Sequence, residues 1–264
     1  MVPVRTCLVC ALVLTPLSAR ASLLDIVFQS PQAPTPSQQV LLDNAEVFWE
    51  TALGGYQPGI DIPTVRIDVG AFDADGEFGL LAVAGPTATV DAAGFVLPTR
   101  GFVDFDTSDL ARLETDGTLF GVLLHEVAHA LGFGTLWEEN GLYAAGSGAY
   151  TGTEGVGAYR QEFDPTATSV PVELDGARGT IDAHWDETWA GGQGALMTGF
   201  IDTPLFLTET TLGSFRDLGY NGQATAAVVP LPAGLVLGLS GLAAFGSLAR
   251  RRKKDLRDPQ SEPA

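Results

Sequence analysis

The sequence has very little cysteine, histidine and methionine, and each scarcity limits the chemistry available. Both cysteines, Cys7 and Cys10, lie in an apolar N-terminal segment that we expect to be removed on export. The remaining chain then has no cysteine, which excludes disulfide bonds, a thiolate nucleophile and thiolate metal ligands. Any metal site in the exported chain must therefore use histidine or carboxylate side chains.

Basic residues are also scarce outside the two ends of the chain. The whole sequence has 14 basic and 32 acidic residues, and between residues 22 and 249 six arginines stand against 29 acidic residues. Such a surface repels nucleic acid and anionic lipid, so we expect no nucleic-acid partner. The acidity suits a saline exterior or one rich in divalent cations, or serves only to keep the protein soluble.

Residues 1–21 have the pattern of a signal peptide. Arg5 precedes a short apolar run, and Ala19 and Ala21 place small residues at the first and third positions before a cut after Ala21. The run is too short to span a bilayer, which argues against a membrane anchor at this end. We expect the protein to be exported.

The C-terminal segment, residues 229–264, has the pattern of a sorting tail. Residues 229–233 read Val-Pro-Leu-Pro-Ala, an apolar stretch follows over residues 233–249, and residues 250–254 are all basic. The stretch is long enough to cross a membrane with the basic cluster on the cytoplasmic side. The tail resembles the PEP-CTERM class of bacterial sorting tails. That resemblance implies a Gram-negative bacterium, an exosortase-type processing enzyme, and a protein at the cell surface or outside the cell, anchored at least transiently; a plain tail anchor is the alternative.

Apolar periodicity predicts several regular elements between the two end segments. Helices are expected over residues 37–53, with Ser37 as the cap, and over residues 118–131 and 207–218. Strands are expected over residues 64–69, 78–84 and 101–105. The Gly-rich stretch from residue 132 to about residue 180 shows no clear period.

The helix at residues 118–131 contains a His-Glu-x-x-His motif. His125 and His129 are four residues apart and lie on one helical face, so both imidazoles can reach one metal ion. Glu126 follows the first histidine directly, which places its carboxylate beside a water molecule on the metal rather than on the metal itself. Zinc would lower the pKa of that water towards ~7, and Glu126 would act as the general base.

A third ligand is needed to complete such a site. His184 is the only other histidine, and it lies in a polar segment; Met197 is the only methionine besides Met1. In a different class of zinc hydrolase the third ligand is a carboxylate. The candidates for that role are Glu138, Glu139 and Glu154.

These motifs together resemble the metzincin zinc peptidases, in their leishmanolysin-like branch. The shared features are His-Glu-x-x-His-x-x-Gly, a later His-Trp and a later Leu-Met-Thr-Gly. Most metzincins have the third histidine three residues after the glycine, where this chain has Thr135. The leishmanolysin-like branch has an insertion there, and His184 follows His129 by 55 residues. The resemblance covers roughly residues 67–220.

The resemblance implies a zinc metalloendopeptidase that acts on protein or peptide substrates. It implies zinc bound by His125, His129 and His184, Glu126 as the catalytic base, and Met197 in a turn beneath the metal. A tyrosine found two residues after that methionine in some metzincins is replaced by Gly199, so other donors would have to stabilise the oxyanion.

The resemblance also implies an α+β fold in two parts around a cleft. Residues 22–131 would form an N-terminal subdomain with a twisted mixed sheet and the long active-site helix. Residues 132–222 would form an irregular C-terminal subdomain that closes the zinc cleft, followed by a linker at residues 223–228. The strand at residues 78–84 would be an edge strand that pairs with extended substrate.

Two further expectations concern function and calcium. A surface or matrix protein that contains zinc and acts only by binding is the alternative to a peptidase. Residues 73–77, Asp-Ala-Asp-Gly-Glu, resemble the start of a calcium loop but lack the later ligands of an EF-hand. An ordinary acidic turn is the favoured interpretation of that segment, with Ca²⁺ as the alternative.

Overall fold

The computed structural model describes residues 23–176, 179–200 and 205–223. Within these ranges the fold is a twisted mixed sheet with five helices, which confirms the α+β expectation at that level. The signal peptide, the sorting tail and all of the linker except Gln223 lie outside the described residues. None of the helices in the described ranges combines the length and apolar character needed to cross a membrane.

The main sheet has four strands in the order β1-β2-β4-β3. They are β1 (Ile26–Gln29), β2 (Val65–Phe72), β3 (Ala82–Ala92) and β4 (Phe95–Asp106). The pairs β1–β2 and β2–β4 are parallel, whereas β3 and β4 form an antiparallel hairpin. Ala93 and Gly94 join that hairpin with φ values of 55° and 89°, as a tight two-residue turn requires. Strand β3 therefore lies at an edge of the sheet.

The edge strand differs from its predicted bounds. The prediction placed it at residues 78–84, but the strand begins at Ala82 and runs on to Ala92. Phe78 has a φ of 69°, which no strand residue adopts, and the carboxylate of Asp75 accepts the N–H of Leu80 at 3.0 Å. Side-chain capping of the backbone thus holds the apolar residues before Ala82 in a turn.

The five helices in the described residues are α1 (Pro36–Leu53), α2 (Thr107–Asp116), α3 (Leu119–Ala130), α4 (Thr153–Glu162) and α5 (Glu209–Asp217). Helix α1 begins one residue before the predicted start, because Thr35 and not Ser37 is its cap. Thr35 and Gln38 form a capping box, in which each side chain accepts the other residue's backbone N–H. Helices α2 and α4 were not predicted.

Helix α3 is buried along its whole length. It packs on β4 at Gly101, where an added Cβ would lie 3.1 Å from the Cβ of Ala130. On its other side, the indole N–H of Trp49 in α1 donates to the carbonyl of Leu124 at 3.1 Å. The sheet and α1 therefore fix the position of the helix that carries the His-Glu-x-x-His motif.

The chain after α3 packs around a cluster of buried aromatic rings. Trp137 stacks on Trp185 with centroids 5.0 Å apart, and Phe133 meets Trp185 edge to face at 5.1 Å. The short antiparallel strands β5 (Ala149–Tyr150) and β6 (Val170–Pro171) lie in the same part of the chain. This packing joins Trp185, the residue after His184, to the segment that follows α3. The division of the chain at residue 131 stays a prediction.

Candidate metal centre

Three buried histidines meet at one point, two from α3 and one from a distant loop. The Nε2 atom of His125 lies 2.9 Å from that of His184, and the Nε2 atom of His129 lies 3.0 Å from each of the other two. Each residue is 6% exposed. The structure thus brings together the three histidines that the sequence singled out.

Backbone carbonyls fix the tautomer of all three rings. Each Nδ1 atom lies within hydrogen-bonding distance of a carbonyl oxygen, which can only accept, so Nδ1 is the protonated nitrogen. For His125, His129 and His184 the acceptors are Leu196, Phe133 and Thr180, at 2.7, 2.9 and 2.8 Å. Each Nε2 atom is left with a lone pair, and such outer contacts are typical of histidines that bind metal.

The lone pairs of the three Nε2 atoms face one another, and because no hydrogen-bond donor of the described residues lies between them, they repel. A cation bound at this point would remove the repulsion. Nitrogen ligands of a tetrahedral zinc ion lie ~2.0–2.1 Å from it and so about 3.3 Å from one another. The observed separations of 2.9–3.0 Å are slightly shorter and fit one small ion. The group can therefore hold a metal ion.

The environment favours the neutral form that binds metal. Burial lowers the pKa of His125 to about 4 and that of His184 to about 3, and it lowers the pKa of His129 well below its ordinary value. Electrostatic interaction with the imidazoles of His184 and His125 also lowers the pKa of His129. Protons therefore compete weakly for the three Nε2 atoms.

The alternative carboxylate ligands do not join this site. Among the described residues, the group of side chains at α3 that could hold a metal ion consists of the three histidines alone. Glu138 instead accepts the backbone N–H of Ala145 at 2.8 Å, and Glu154 lies 3.5 Å from the side chain of Arg216. Glu139 is likewise absent from the group. The prediction of a carboxylate third ligand is not supported.

A glycine lets the loop of His184 approach α3. Gly134 has a φ of 72°, and a Cβ at this position would lie 2.3 Å from the carbonyl oxygen of Ala183. The backbone of His184 is also held, because its carbonyl accepts the N–H of Glu173 at 3.0 Å. Sequence analysis missed Gly134 and the three carbonyl acceptors. A carbonyl leaves no sequence signal, since every residue has one.

Met197 is fully buried in a tight turn that contacts the site. The N–H of Thr198 donates to the carbonyl of Ala195 at 3.3 Å and closes the turn. The preceding residue, Leu196, provides the acceptor for His125, and the carbonyl of Met197 accepts the N–H of Trp185 at 2.9 Å. The turn at residues 195–198 therefore bonds both to His125 of α3 and to Trp185, the residue after His184. The placement of Met197 in a turn beneath a metal ion stays a prediction.

Glu126 lies next to His125 on the buried helix and is 8% exposed. Burial raises the pKa of its carboxyl group to about 8. A positive charge close by would favour the ionised form and lower this pKa. The role of Glu126 as a base stays a prediction.

The acidic segment at residues 73–77 does not gather its side chains around a common point. Among the described residues, the second metal-capable group is formed by Glu173, Asp175 and Glu187, whose carboxylate oxygens lie within 4.8 Å of one another. The described residues thus show a turn at this segment, in which Asp75 caps the backbone, and no group of three carboxylates within residues 73–77.

No protein-family model matches the chain, and no curated protein matches it. The resemblance to leishmanolysin-like metzincins consequently rests on the sequence motifs alone and stays a prediction.

Proposed function

We propose that the protein is an exported zinc-dependent endopeptidase of the leishmanolysin-like metzincin type. The observation that carries the proposal is the convergence of three tautomer-fixed Nε2 atoms at 2.9–3.0 Å, with a buried carboxylate one residue from the first of them. Imidazole ligands suit zinc among the common biological cations, although they also bind copper and nickel.

The histidines and Glu126 have separate roles in the proposed hydrolysis. His125, His129 and His184 hold the ion, which when bound supplies a Lewis acid that polarises a carbonyl oxygen and makes water more acidic. Glu126 accepts a proton from the attacking water and delivers it to the leaving amine nitrogen. Because Glu126 does not attack the substrate itself, no covalent intermediate forms with the chain.

Strand β3 offers a surface for an extended peptide. Among the described strands it pairs only with β4, so its other side is an edge of the sheet to which an extended peptide could add as a further strand. Gly85 of β3 lies close to Thr135, since an added Cβ would be 3.9 Å from its methyl group. Thr135 in turn donates to the carbonyl of His129 at 2.7 Å. A peptide paired with β3 would therefore run past the metal centre.

We also propose that the sorting tail brings the protein to the cell surface of a Gram-negative bacterium. The pentapeptide at residues 229–233, the apolar stretch and the basic cluster support an exosortase-type processing partner and at least transient attachment to the membrane. A mass determination of the mature protein would test both cleavage sites.

Hydrolysis of casein or of a peptide library by the purified protein tests the proposed activity. We expect cleavage that a chelator abolishes and added zinc restores. Glu126→Gln, which keeps the size of the side chain, serves as the matched inactive control. If zinc-loaded, folded protein cleaves no peptide while it binds one mole of zinc, the protein is instead a non-catalytic zinc-containing surface or matrix protein.

A further inference from the structure

Three carboxylates outside the histidine centre lie close together. Carboxylate oxygens of Glu173, Asp175 and Glu187 are within 4.8 Å of one another, although Glu187 comes from a later stretch of the chain. Calcium binds oxygen at about 2.3–2.6 Å, so two of its ligand oxygens lie at most about 4.6–5.2 Å apart. The spacing of the three oxygens therefore fits ligands around one calcium ion.

Glu173, the most deeply buried of the three acids, has an oxygen that lacks a hydrogen-bond partner. Glu173 is only 1% exposed, and its Oε1 atom accepts the N–H of Asp175 at 2.7 Å. Its Oε2 atom is buried and has no partner among the described residues. A carboxylate oxygen withdrawn from water without a partner costs considerable free energy. A cation bound to the group would remove that cost.

No basic side chain of the described residues balances the charge of this group. None of the ion pairs in the described part of the chain includes one of the three acids. Asp175 and Glu187 cannot donate to the free oxygen of Glu173 either, because an ionised carboxylate only accepts hydrogen bonds. Like charges this close repel one another, and a bound cation reverses the effect. The three acids therefore have the arrangement of a cation ligand set.

The group lies beside the backbone of His184. The N–H of Glu173 donates to the carbonyl of His184 at 3.0 Å, and the carbonyl of Glu173 accepts the N–H of Asp182 at 2.9 Å. Glu173 and Asp175 precede His184 in the chain, whereas Glu187 follows it. An ion bound by all three acids would therefore link the two arms of the loop that carries His184.

We propose that Glu173, Asp175 and Glu187 bind a calcium ion that holds the loop of His184 in place. Calcium takes about six to eight oxygen ligands, which carboxylates provide one or two at a time and water completes. The group has no nitrogen or sulfur ligand, which separates it chemically from the histidine centre. The calcium site does not depend on the proposed peptidase activity.

Calcium titration of the zinc-loaded full chain, by calorimetry and by thermal unfolding, tests the proposal. We expect one calcium ion per chain with a Kd of about 10⁻⁴–10⁻³ M or tighter, as in extracellular calcium modules, and a rise in Tm. Glu187→Gln and Asp175→Asn keep the size of the side chain but remove one charge. Each should weaken calcium binding at least about tenfold.

Glu77→Gln provides the matched control, because Glu77 is an exposed acid in the separate acidic turn at residues 73–77. This variant should bind calcium as the unmodified chain does. The proposal is overturned if Glu187→Gln and Asp175→Asn also keep full affinity, or if Glu77→Gln weakens binding as much as they do. Absence of both binding heat and a Tm shift in the unmodified chain would overturn it equally, since a shared proton or a basic side chain would then balance the charge. Asp175 is exposed, so Asp175→Asn still decides if Glu187→Gln does not fold.

Zinc affinity measured with and without calcium tests the effect on the loop of His184, and this part rests on the proposed zinc centre. Because the ion would hold the backbone next to His184, saturating calcium should raise zinc affinity about fivefold or more in the unmodified chain. In Glu187→Gln the same addition should leave zinc affinity unchanged. Equal zinc affinities with and without calcium in the unmodified chain would overturn the role in holding the loop, even where calorimetry detects calcium binding.

Discussion

At the scale of single residues, Glu126 is buried and lies beside His125, a proposed metal ligand. Burial raises the pKa of Glu126 to about 8, and in the proposed mechanism a nearby cation would lower this pKa, so that the carboxylate could act as a base at neutral pH. Substitution by glutamine removes the base while it keeps the volume. We expect kcat of Glu126→Gln to fall by about 10²–10⁴, with zinc content unchanged.

The measurement for Glu126→Gln pairs a peptide-hydrolysis assay with metal analysis of the same sample. Asp61→Asn, at an exposed acid in the loop between α1 and β2, is the control and should keep full activity. Full activity in Glu126→Gln would show that another group removes the proton from water.

His184 is the residue on which the metal site depends most. It brings the third Nε2 atom from a loop 55 residues beyond His129. Its replacement by alanine leaves two ligands on one helix. Zinc affinity should fall by more than the ~10–100-fold that follows loss of a ligand's hydrogen-bond partner. Competition with a chromogenic chelator measures this affinity, and an unchanged value would refute the ligand role.

The three histidines that meet at the centre could be predicted from the sequence, but the backbone groups that orient them could not. His125, Glu126 and His129 follow from helical spacing, and the rarity of histidine left His184 as the candidate third ligand. The three rings bond to the carbonyls of Leu196, Phe133 and Thr180, and the positions of these carbonyls depend on how the loops fold. The unpartnered oxygen of Glu173 likewise became visible only with burial.

At the scale of elements, the turn after α3 determines whether the loop of His184 can reach the helix. Gly134→Ala should reduce both stability and zinc affinity, because its Cβ would lie 2.3 Å from the carbonyl oxygen of Ala183 at a positive φ of 72°. We expect a loss of about 2–4 kcal/mol in the free energy of unfolding, the sum of backbone strain and overpacking.

Gly141 provides a matched control for this substitution. Its φ is 68°, and an added Cβ would have no atom within 4 Å. Gly141→Ala therefore carries the backbone strain alone and should cost about 1–2 kcal/mol with zinc affinity intact. Urea unfolding of both variants separates the two effects. Equal losses would mean that the contact with Ala183 is not limiting.

Secondary structure was predictable where periodicity was strong and failed where packing overrides local preference. Helices α1 and α3 have long apolar faces, and their predicted positions agree with the structure within a few residues. Helix α4 contains Gly155 and Gly157, which are poor helix formers, and it escaped prediction. An added Cβ at Gly213 of α5 would lie 2.8 Å from the Cα of Gly155. Close packing of the two helices thus needs glycine at Gly213, whereas an added Cβ at Gly155 would lie 2.7 Å from the ring of Tyr150.

At the scale of the whole molecule, the buried imidazoles link folding to pH. Their folded-state pKa values, about 4 for His125 and about 3 for His184, lie below the ordinary value of 6.5. The unfolded chain therefore binds more protons below pH 6.5 than the folded chain does. Stability of the metal-free protein should be complete above about pH 6.5 and should fall towards pH 4, by about 1.4 kcal/mol per pH unit for each imidazole.

Urea unfolding of metal-free protein between about pH 6 and pH 5 tests this linkage. Other acidic groups also titrate as the pH falls, so the comparison is with metal-free His184→Asn, which lacks one imidazole. The slope for His184→Asn should be smaller by about 1.4 kcal/mol per pH unit. Identical slopes would show that His184 does not carry a lowered pKa.

The mixed sheet and the helices around it agree with the α+β expectation, whereas the packing beyond α3 was not predictable. The sequence from residue 132 to residue 180 lacks a period, because aromatic packing rather than an amphipathic face holds it. Trp137, Tyr150 and Trp185 meet within 5.4 Å of one another there. Such contacts join residues far apart in sequence, and local patterns do not encode them.

X-ray absorption at the zinc edge of the purified protein tests the central claim most directly. The account predicts one zinc ion per chain with three imidazole nitrogens at ~2.0–2.1 Å and no sulfur, and two imidazoles in His184→Ala. A spectrum with fewer than three imidazoles in the unmodified chain, or one that His184→Ala leaves unchanged, would contradict it.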